Sequence, residues 1–150
     1  MPENLKTEIV RKSDGSLVVP YSREESNVFV NILRPRLTIS LYSEVFSEWL
    51  TIEDVLADTG ADISLLPKNL GILLVGNIRQ GKKYRMIGLI SDSVRYFYMH
   101  KLKARIGKKR FTGVFAIAAA DDIPPTLGRF SALDKMNIEY SKGRQLVISW

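Results

Sequence analysis

Short runs of alternating apolar and polar residues, each bounded by turn-forming residues, dominate this chain, and no long stretch repeats at the period of an amphipathic helix. Leu37, Ile39 and Leu41 alternate with Thr38, Ser40 and Tyr42, the pattern of a strand with one buried face. A second strand is predicted over residues 50–57, running directly into Asp58, and two more over residues 95–99 and 111–118. The Ser13-Asp14-Gly15-Ser16 and Ser141-Lys142-Gly143-Arg144 segments each separate two β-favouring runs and predict hairpins. The best helical segment is short, from Gly128 or Arg129 to about Met136. Several short strands at close spacing predict an all-β barrel or sandwich.

Composition changes this picture little. A chain of 150 residues, 45% hydrophobic and 25% charged, has the length and balance of one soluble domain with a real core. No cysteine is present, which removes disulfides, thiolate metal sites and cysteine nucleophiles together and fits a reducing compartment. Residues 2–12 are mixed and charged, unlike a signal peptide, and no run is long enough to span a bilayer, so the expectation is a soluble, cytoplasmic protein with no membrane partner. Net charge is +6, and the densest basic cluster comprises Lys101, Lys103, Arg105, Lys108, Lys109 and Arg110. Leu102, Ala104 and Ile106 alternate with those charges and Gly107 interrupts them, as in a half-buried strand entering a turn. The cluster therefore reads as a solvated hairpin, and a nucleic-acid partner is not expected.

Elimination narrows the chemistry. His100 is the lone histidine, no Gly-x-Ser-x-Gly elbow accompanies it, and a zinc site of one histidine and no cysteine is poorly provided. No glycine-rich phosphate loop is present. Carboxylate chemistry remains. In Val55-Leu56-Ala57-Asp58-Thr59-Gly60-Ala61-Asp62-Ile63, an apolar strand delivers Asp58 at its rigid end. Thr59 offers a hydroxyl that can reach a partner loop. Gly60 lets the backbone turn close to the carboxylate, where its N–H can hold the charge.

This segment resembles the active-site loop of the retropepsins, the retroviral-type aspartic proteases, whose signature is Asp-Thr/Ser-Gly-Ala after apolar residues. Two further features carry the resemblance. Asp62 stands where retropepsins commonly have a second acidic residue. Thr126-Leu127-Gly128-Arg129 is similar to their apolar-apolar-Gly-Arg segment, with polar Thr126 at its first position. The resemblance covers residues 35–150 and leaves residues 1–34 as an extension, a hairpin packed on or preceding the core. It implies a closed acid-protease barrel with one short C-terminal helix and catalysis by Asp58, Thr59 and Gly60. Ala61, Asp62, Leu127, Gly128 and Arg129 would support the site, Asp62 and Arg129 as an ion pair behind it. A flap over the substrate would correspond to residues 82–98, with Met86, Ile87, Gly88 and Leu89 near its tip.

Retropepsins need two such carboxylates and this chain has one Asp-Thr-Gly. The resemblance therefore implies a homodimeric aspartic endopeptidase with one Asp58 from each copy, a peptide or protein substrate, and no metal or cofactor. It also points to the strand ending Val147-Ile148-Ser149-Trp150 as part of the dimer interface. A catalytically weak or inactive dimerisation or peptide-binding module of the same fold is the alternative reading.

Overall fold

A computed structural model of the chain describes residues 10–87 and 94–150. Its strands are, in chain order, β1 (Val10–Arg11), β2 (Leu17–Pro20), β3 (Ser22–Glu24), β4 (Ile32–Arg34), β5 (Arg36–Ser43), β6 (Glu48–Ala57), β7 (Ser64–Leu66), β8 (Lys82–Ile87), β9 (Val94–Ile106), β10 (Lys109–Ala118), β11 (Thr126–Leu127), β12 (Asn137–Ser141) and β13 (Gln145–Ser149). One α-helix, α1 (Lys68–Val75), lies between β7 and β8. Neighbouring strands run in the order β10-β7-β11-β6-β5-β9-β8, and a further β10–β9 pairing closes six of them into a barrel, with β8 extending outward on β9. The fold is the expected all-β closed barrel.

The alternation read from the sequence is what closes it. Every second residue of β5, Leu37, Ile39, Leu41 and Ser43, is buried, as are Leu102, Ala104 and Ile106 of β9. Burying each Leu or Ile side chain contributes about 1.5–3 kcal/mol. The intervening charges of the basic run stand on the outer face, where Lys103 lies over Tyr42 and Arg105 and Arg110 lie over Trp49. Gly107 takes a φ of 57° to turn the β9–β10 hairpin. Two residues of β6, Glu53 and Asp54, are set against Thr38 of β5, where the register shifts, and Asp54 adopts a φ of 57°. This β-bulge bends the strand shortly before Asp58.

A second sheet has the order β1-β2-β13-β12. Leu17 and Val19 of β2 and Leu146 and Ile148 of β13 join the barrel side chains in one core. Leu146–Ile148 of β13 pair with β12 on one edge and β2 on the other. Over these residues both edges of the last strand are thus satisfied within one chain. These residues therefore have no free backbone edge for a partner, since a strand has only two, while Ser149 and Trp150 lie beyond the β2 pairing.

The predicted helix at 128–136 is also corrected. Only Leu133–Lys135 forms a 3-10 turn there. Ser131 has a φ of 55° and Ala132 a φ of −133° and ψ of −92°, so the helical path is broken before it starts. The α-helix lies instead at α1, an apolar segment whose Gly71 hides it in the sequence. A β-carbon on Gly71 would stand 2.2 Å from Ile117 Cγ2, so glycine lets the helix pack directly on β10. Among the described residues, no helix is long and apolar enough to cross a membrane.

Candidate active site

Asp58 stands at the mouth of the barrel because its backbone is held from both sides. The Ala57 amide donates to the Pro35 carbonyl at 2.9 Å and the Asp58 amide donates to the Leu127 carbonyl at 3.0 Å. β11 runs parallel to the end of β6, pairing Thr126 with Leu56 and Leu127 with Ala57. The loop beyond then turns back: the Gly60 amide donates to Asp58 Oδ1 at 2.8 Å and the Ala61 amide to the Asp58 carbonyl at 3.2 Å. This places a hydrogen-bond donor on one carboxylate oxygen and leaves the side chain half-buried, with Thr59 and Gly60 exposed at the loop tip. A β-carbon on Gly60 would lie 3.1 Å from that same oxygen, so glycine keeps the approach open.

Gly128 locks the loop from the other side. Its amide donates to the buried Ser64 Oγ at 3.0 Å. The Arg129 amide donates to the Ala61 carbonyl and the Phe130 amide to the Asp62 carbonyl, both at 2.9 Å. A β-carbon at Gly128 would meet the Ile63 carbonyl carbon at 2.4 Å, so these two segments touch backbone to backbone. Asp58, Thr59, Gly60, Ala61, Asp62, Leu127, Gly128 and Arg129 are thus one physical unit. Leu127 is fully buried beneath it.

Asp62 and Arg129 do meet, Oδ1 to Nη2 at 3.1 Å, but their side chains are 91% and 51% exposed. At that exposure an ion pair contributes little, and the backbone bonds flanking it hold the loop. A double-mutant cycle of Asp62→Asn and Arg129→Gln, followed by denaturant unfolding of the monomer, is expected to give a coupling below about 1 kcal/mol. A coupling of several kcal/mol would show a buried charge pair instead.

Two residues that sequence reasoning passed over belong to this unit. Ser64 is one. Tyr140 is the other: its hydroxyl donates to the Ala57 carbonyl at 3.1 Å. Burial, helped by Tyr21 and Asp58, raises the Tyr140 pKa to about 12, so the phenol remains a donor at any physiological pH. His100 is not near this chemistry; its Nε2 lies 2.7 Å from the Ile78 carbonyl, a structural contact within the fold.

β8 and β9 form a long antiparallel hairpin, from Lys82 opposite Met99 to Ile87 opposite Val94. Met86 is partly exposed on β8 and Ile87 ends that strand; Gly88 and Leu89 lie outside the described residues. Along the start of β9 is an open cleft of about 370 Å³, bounded by Val94–Phe97 on one side and Ala118–Ala120, Asp122 and Ile123 on the other. Arg95 Nη1 and Asp122 Oδ1 meet across it at 2.6 Å. The Arg95 guanidinium holds the Asp122 carboxyl below its ordinary range. Ile63, just beyond the Asp58 loop, and Ile123 both pack against the cluster of Phe97, Ala116 and Ala118, which ties the cleft to the loop.

No family model matches the chain, and no curated protein matches it. Among solved structures it is similar to a retropepsin-like aspartic protease from Rickettsia conorii, at 17% identity and a TM-score of 0.57, covering 93% of this chain and 87% of that one. It is also similar to EIAV protease complexed with the inhibitor HBY-793, at 20% identity and a TM-score of 0.40, over 71% of this chain and 88% of that one. The chain has the retropepsin-like fold.

Proposed function

We propose that this chain is one subunit of a homodimeric aspartic endopeptidase, with one Asp58 from each copy forming the catalytic pair. The observation that carries the reading is the placement of Asp58: fixed by backbone bonds on both flanks, held by the Gly60 amide, and half-open at the mouth of a retropepsin-like barrel. Residues 35–150 are the protease domain in this reading, and residues 1–34 an extension from which β2 completes the second sheet. The absence of cysteine fits a cytoplasmic setting.

Two carboxylates about 3 Å apart cannot both ionise comfortably, so the pair shares one proton. The charged Asp58 takes a proton from water as the water oxygen bonds to the peptide carbonyl carbon. The partner's protonated Asp58 gives its proton to the carbonyl oxygen, and a neutral gem-diol results. In the second half the now-charged carboxylate removes a proton from one diol hydroxyl and the C=O double bond re-forms. The C–N bond breaks, and the nitrogen takes the proton held since the first half. Both carboxyls return to their starting states. Thr59 would hydrogen-bond across the two loops, and Ala61, Asp62, Leu127, Gly128 and Arg129 would keep them in place. The peptide would lie extended beneath the β8–β9 hairpin, with Met86, Ile87, Gly88 and Leu89 closing over it and the Val94–Ile123 cleft taking a side chain.

The test combines assembly with titration. The active species should sediment as a dimer of the 17.0 kDa chain. Peptide cleavage should be bell-shaped in pH with an acidic to mildly acidic optimum. The acid limb rises as the first carboxyl of the pair ionises, and the other limb falls as the second loses its proton. A peptide analogue with a hydroxyl in place of the scissile carbonyl should inhibit, because it imitates the diol. Full activity from a strict monomer would reject the pair.

A further inference from the structure

The hairpin β3–β4 is an arm built on the Asp58 side of the barrel and tipped with apolar residues. Its strands pair over Ser22–Glu24 and Ile32–Arg34. Its root is braced: Arg36 grips Glu24 through Nε at 2.5 Å and Nη2 at 2.9 Å, and Arg36 Nη1 donates to the Asp54 carbonyl at the bulge of β6 at 3.0 Å. Arg34 adds a second positive charge beside Glu24 at 3.8 Å. The hydrogen bond from Arg36, reinforced by both positive charges, holds the Glu24 carboxyl below its ordinary range, so the brace stays charged at neutral pH. β4 then enters β5 through Pro35, whose carbonyl accepts from the Ala57 amide. The arm thus leaves the barrel at the level of the catalytic loop, and its tip lies further out.

At that tip Val28, Phe29 and Val30 are 80%, 60% and 89% exposed, and Leu33 at the arm's base is 41% exposed. The Val28 amide donates to Ser26 Oγ at 3.2 Å, so the turn has local order. A run of consecutive exposed apolar residues on a braced projection is costly in water unless something covers it. A second exposed aromatic, Phe130 at 60%, adjoins the Asp58 loop, its amide donating to the Asp62 carbonyl.

From this we infer that the occupant is a second copy of this chain, and that each arm packs its Val28-Phe29-Val30 tip on the other subunit when the two Asp58 loops face each other. The inference rests on the proposed dimeric site, which is incomplete in one copy. It answers a question the topology raises. Leu146–Ile148 of β13 have both edges occupied within the chain, so they cannot supply a shared sheet between subunits. The outer strand β12 presents Asn137 and Glu139 as exposed side chains, with no exposed large apolar residue on it. The arm offers contiguous apolar surface on the side of the molecule that the second Asp58 must approach. In a two-fold dimer that contact is made twice.

The experiment compares the parent with a Val28→Ser/Phe29→Ser/Val30→Ser variant by sedimentation and peptide cleavage over a range of concentrations. The control is Val45→Ser/Phe46→Ser, an exposed apolar pair at the β5–β6 turn, the opposite end of those strands from Asp58. The arm variant should raise the dimer dissociation constant by about 100-fold or more, with activity falling as dimer is lost and returning at high concentration. The control should leave both unchanged. In the parent, amide exchange across residues 27–31 should slow as concentration rises into the dimer range, a readout that requires no variant to fold. A dimeric parent whose dissociation constant is untouched by the arm variant, or whose 27–31 amides exchange alike in monomer and dimer, overturns the arm contact and leaves the Asp58 pair standing. A parent that remains monomeric at every concentration overturns both.

Discussion

Replacing Asp58 by Asn is expected to lower kcat for peptide cleavage by at least about 1,000-fold while the fold and the dimer persist. The side chain keeps its shape, and the Gly60 amide, 2.8 Å from Oδ1, still finds an oxygen acceptor. What disappears is the ability to take a proton from water and return it to the leaving nitrogen, which no neighbouring group supplies at that position. The Asp58→Asn protein therefore separates chemistry from structure: circular dichroism, melting temperature and sedimentation should match the parent. A mixing experiment adds stoichiometry. If subunits exchange freely between equal amounts of parent and variant, roughly a quarter of the dimers carry two Asp58 residues. Activity should then fall to about half of what the parent portion alone would give. If the carboxylate of one subunit were sufficient for the shared site, the mixed dimers would cleave as well and activity would rise instead of falling. Cleavage that survives Asp58→Asn would remove this residue from the chemistry altogether.

How far the chain could be read from its sequence depended on the range over which each signal acts. β5 was legible because Leu37, Ile39 and Leu41 sit at the strand period, and the same alternation in Leu102, Ala104 and Ile106 separated a wet basic face from a buried one. The Asp14–Gly15 and Lys142–Gly143 turns were legible because turn chemistry is local; Gly15 and Gly143 both take positive φ. The segment after Gly128 misled because its residues favour helix individually, while Ser131 is driven to positive φ by contacts the sequence does not display. Its hydroxyl accepts from the Val114 amide of β10 at 2.7 Å, a tertiary bond that outweighs propensity. α1 was hidden for the reverse reason. Gly71 looks like a helix breaker, yet the absent side chain is what allows the helix to lie on Ile117.

The site divides in the same way. Asp58, Gly60 and Gly128 announced themselves by motif, since each has a local or backbone requirement that few residues satisfy. Ser64 and Tyr140 did not, because their partners lie 64 and 83 residues away and neither residue type is diagnostic. The Asp62–Arg129 pair was legible as a pairing but not as an energy. Its exposure, set by how the two loops face solvent in one subunit, reduces a presumed structural ion pair to a surface contact. The arm was visible only as part of the N-terminal extension, residues 1–34. Its brace joins Glu24 to Arg36 and Arg36 to Asp54, contacts that exist only once β5 and the bulge of β6 are in register.

Gly128→Ala should do more damage than any other single methyl group near the site. The added β-carbon would stand 2.4 Å from the Ile63 carbonyl carbon, 2.5 Å from its oxygen and 2.9 Å from the Ala61 oxygen. All three are backbone atoms, so no rotamer change relieves the clash. Restoring ordinary contact at about 3.5 Å requires the end of β11 and the loop after Asp58 to separate by about 1 Å. That movement strains the bonds that cross between them: Gly128 N–H to Ser64 Oγ, Arg129 N–H to Ala61 O and Asp58 N–H to Leu127 O. Overpacking with loss of a buried hydrogen bond should cost about 3 kcal/mol, which for a chain of this length lowers the melting temperature by roughly 10 °C. Because Asp58 is carried on the displaced segment, a shift near 1 Å should also reduce kcat/KM by about 100-fold in the protein that remains folded. Gly143→Ala is the matched control. Gly143 has a φ of 65° and nothing within 4 Å of the added carbon, so that change tests backbone strain alone. It should cost about 1 kcal/mol and leave cleavage intact. Equal effects from the two substitutions would mean that the packing of β11 against the Asp58 loop does not position the carboxylate.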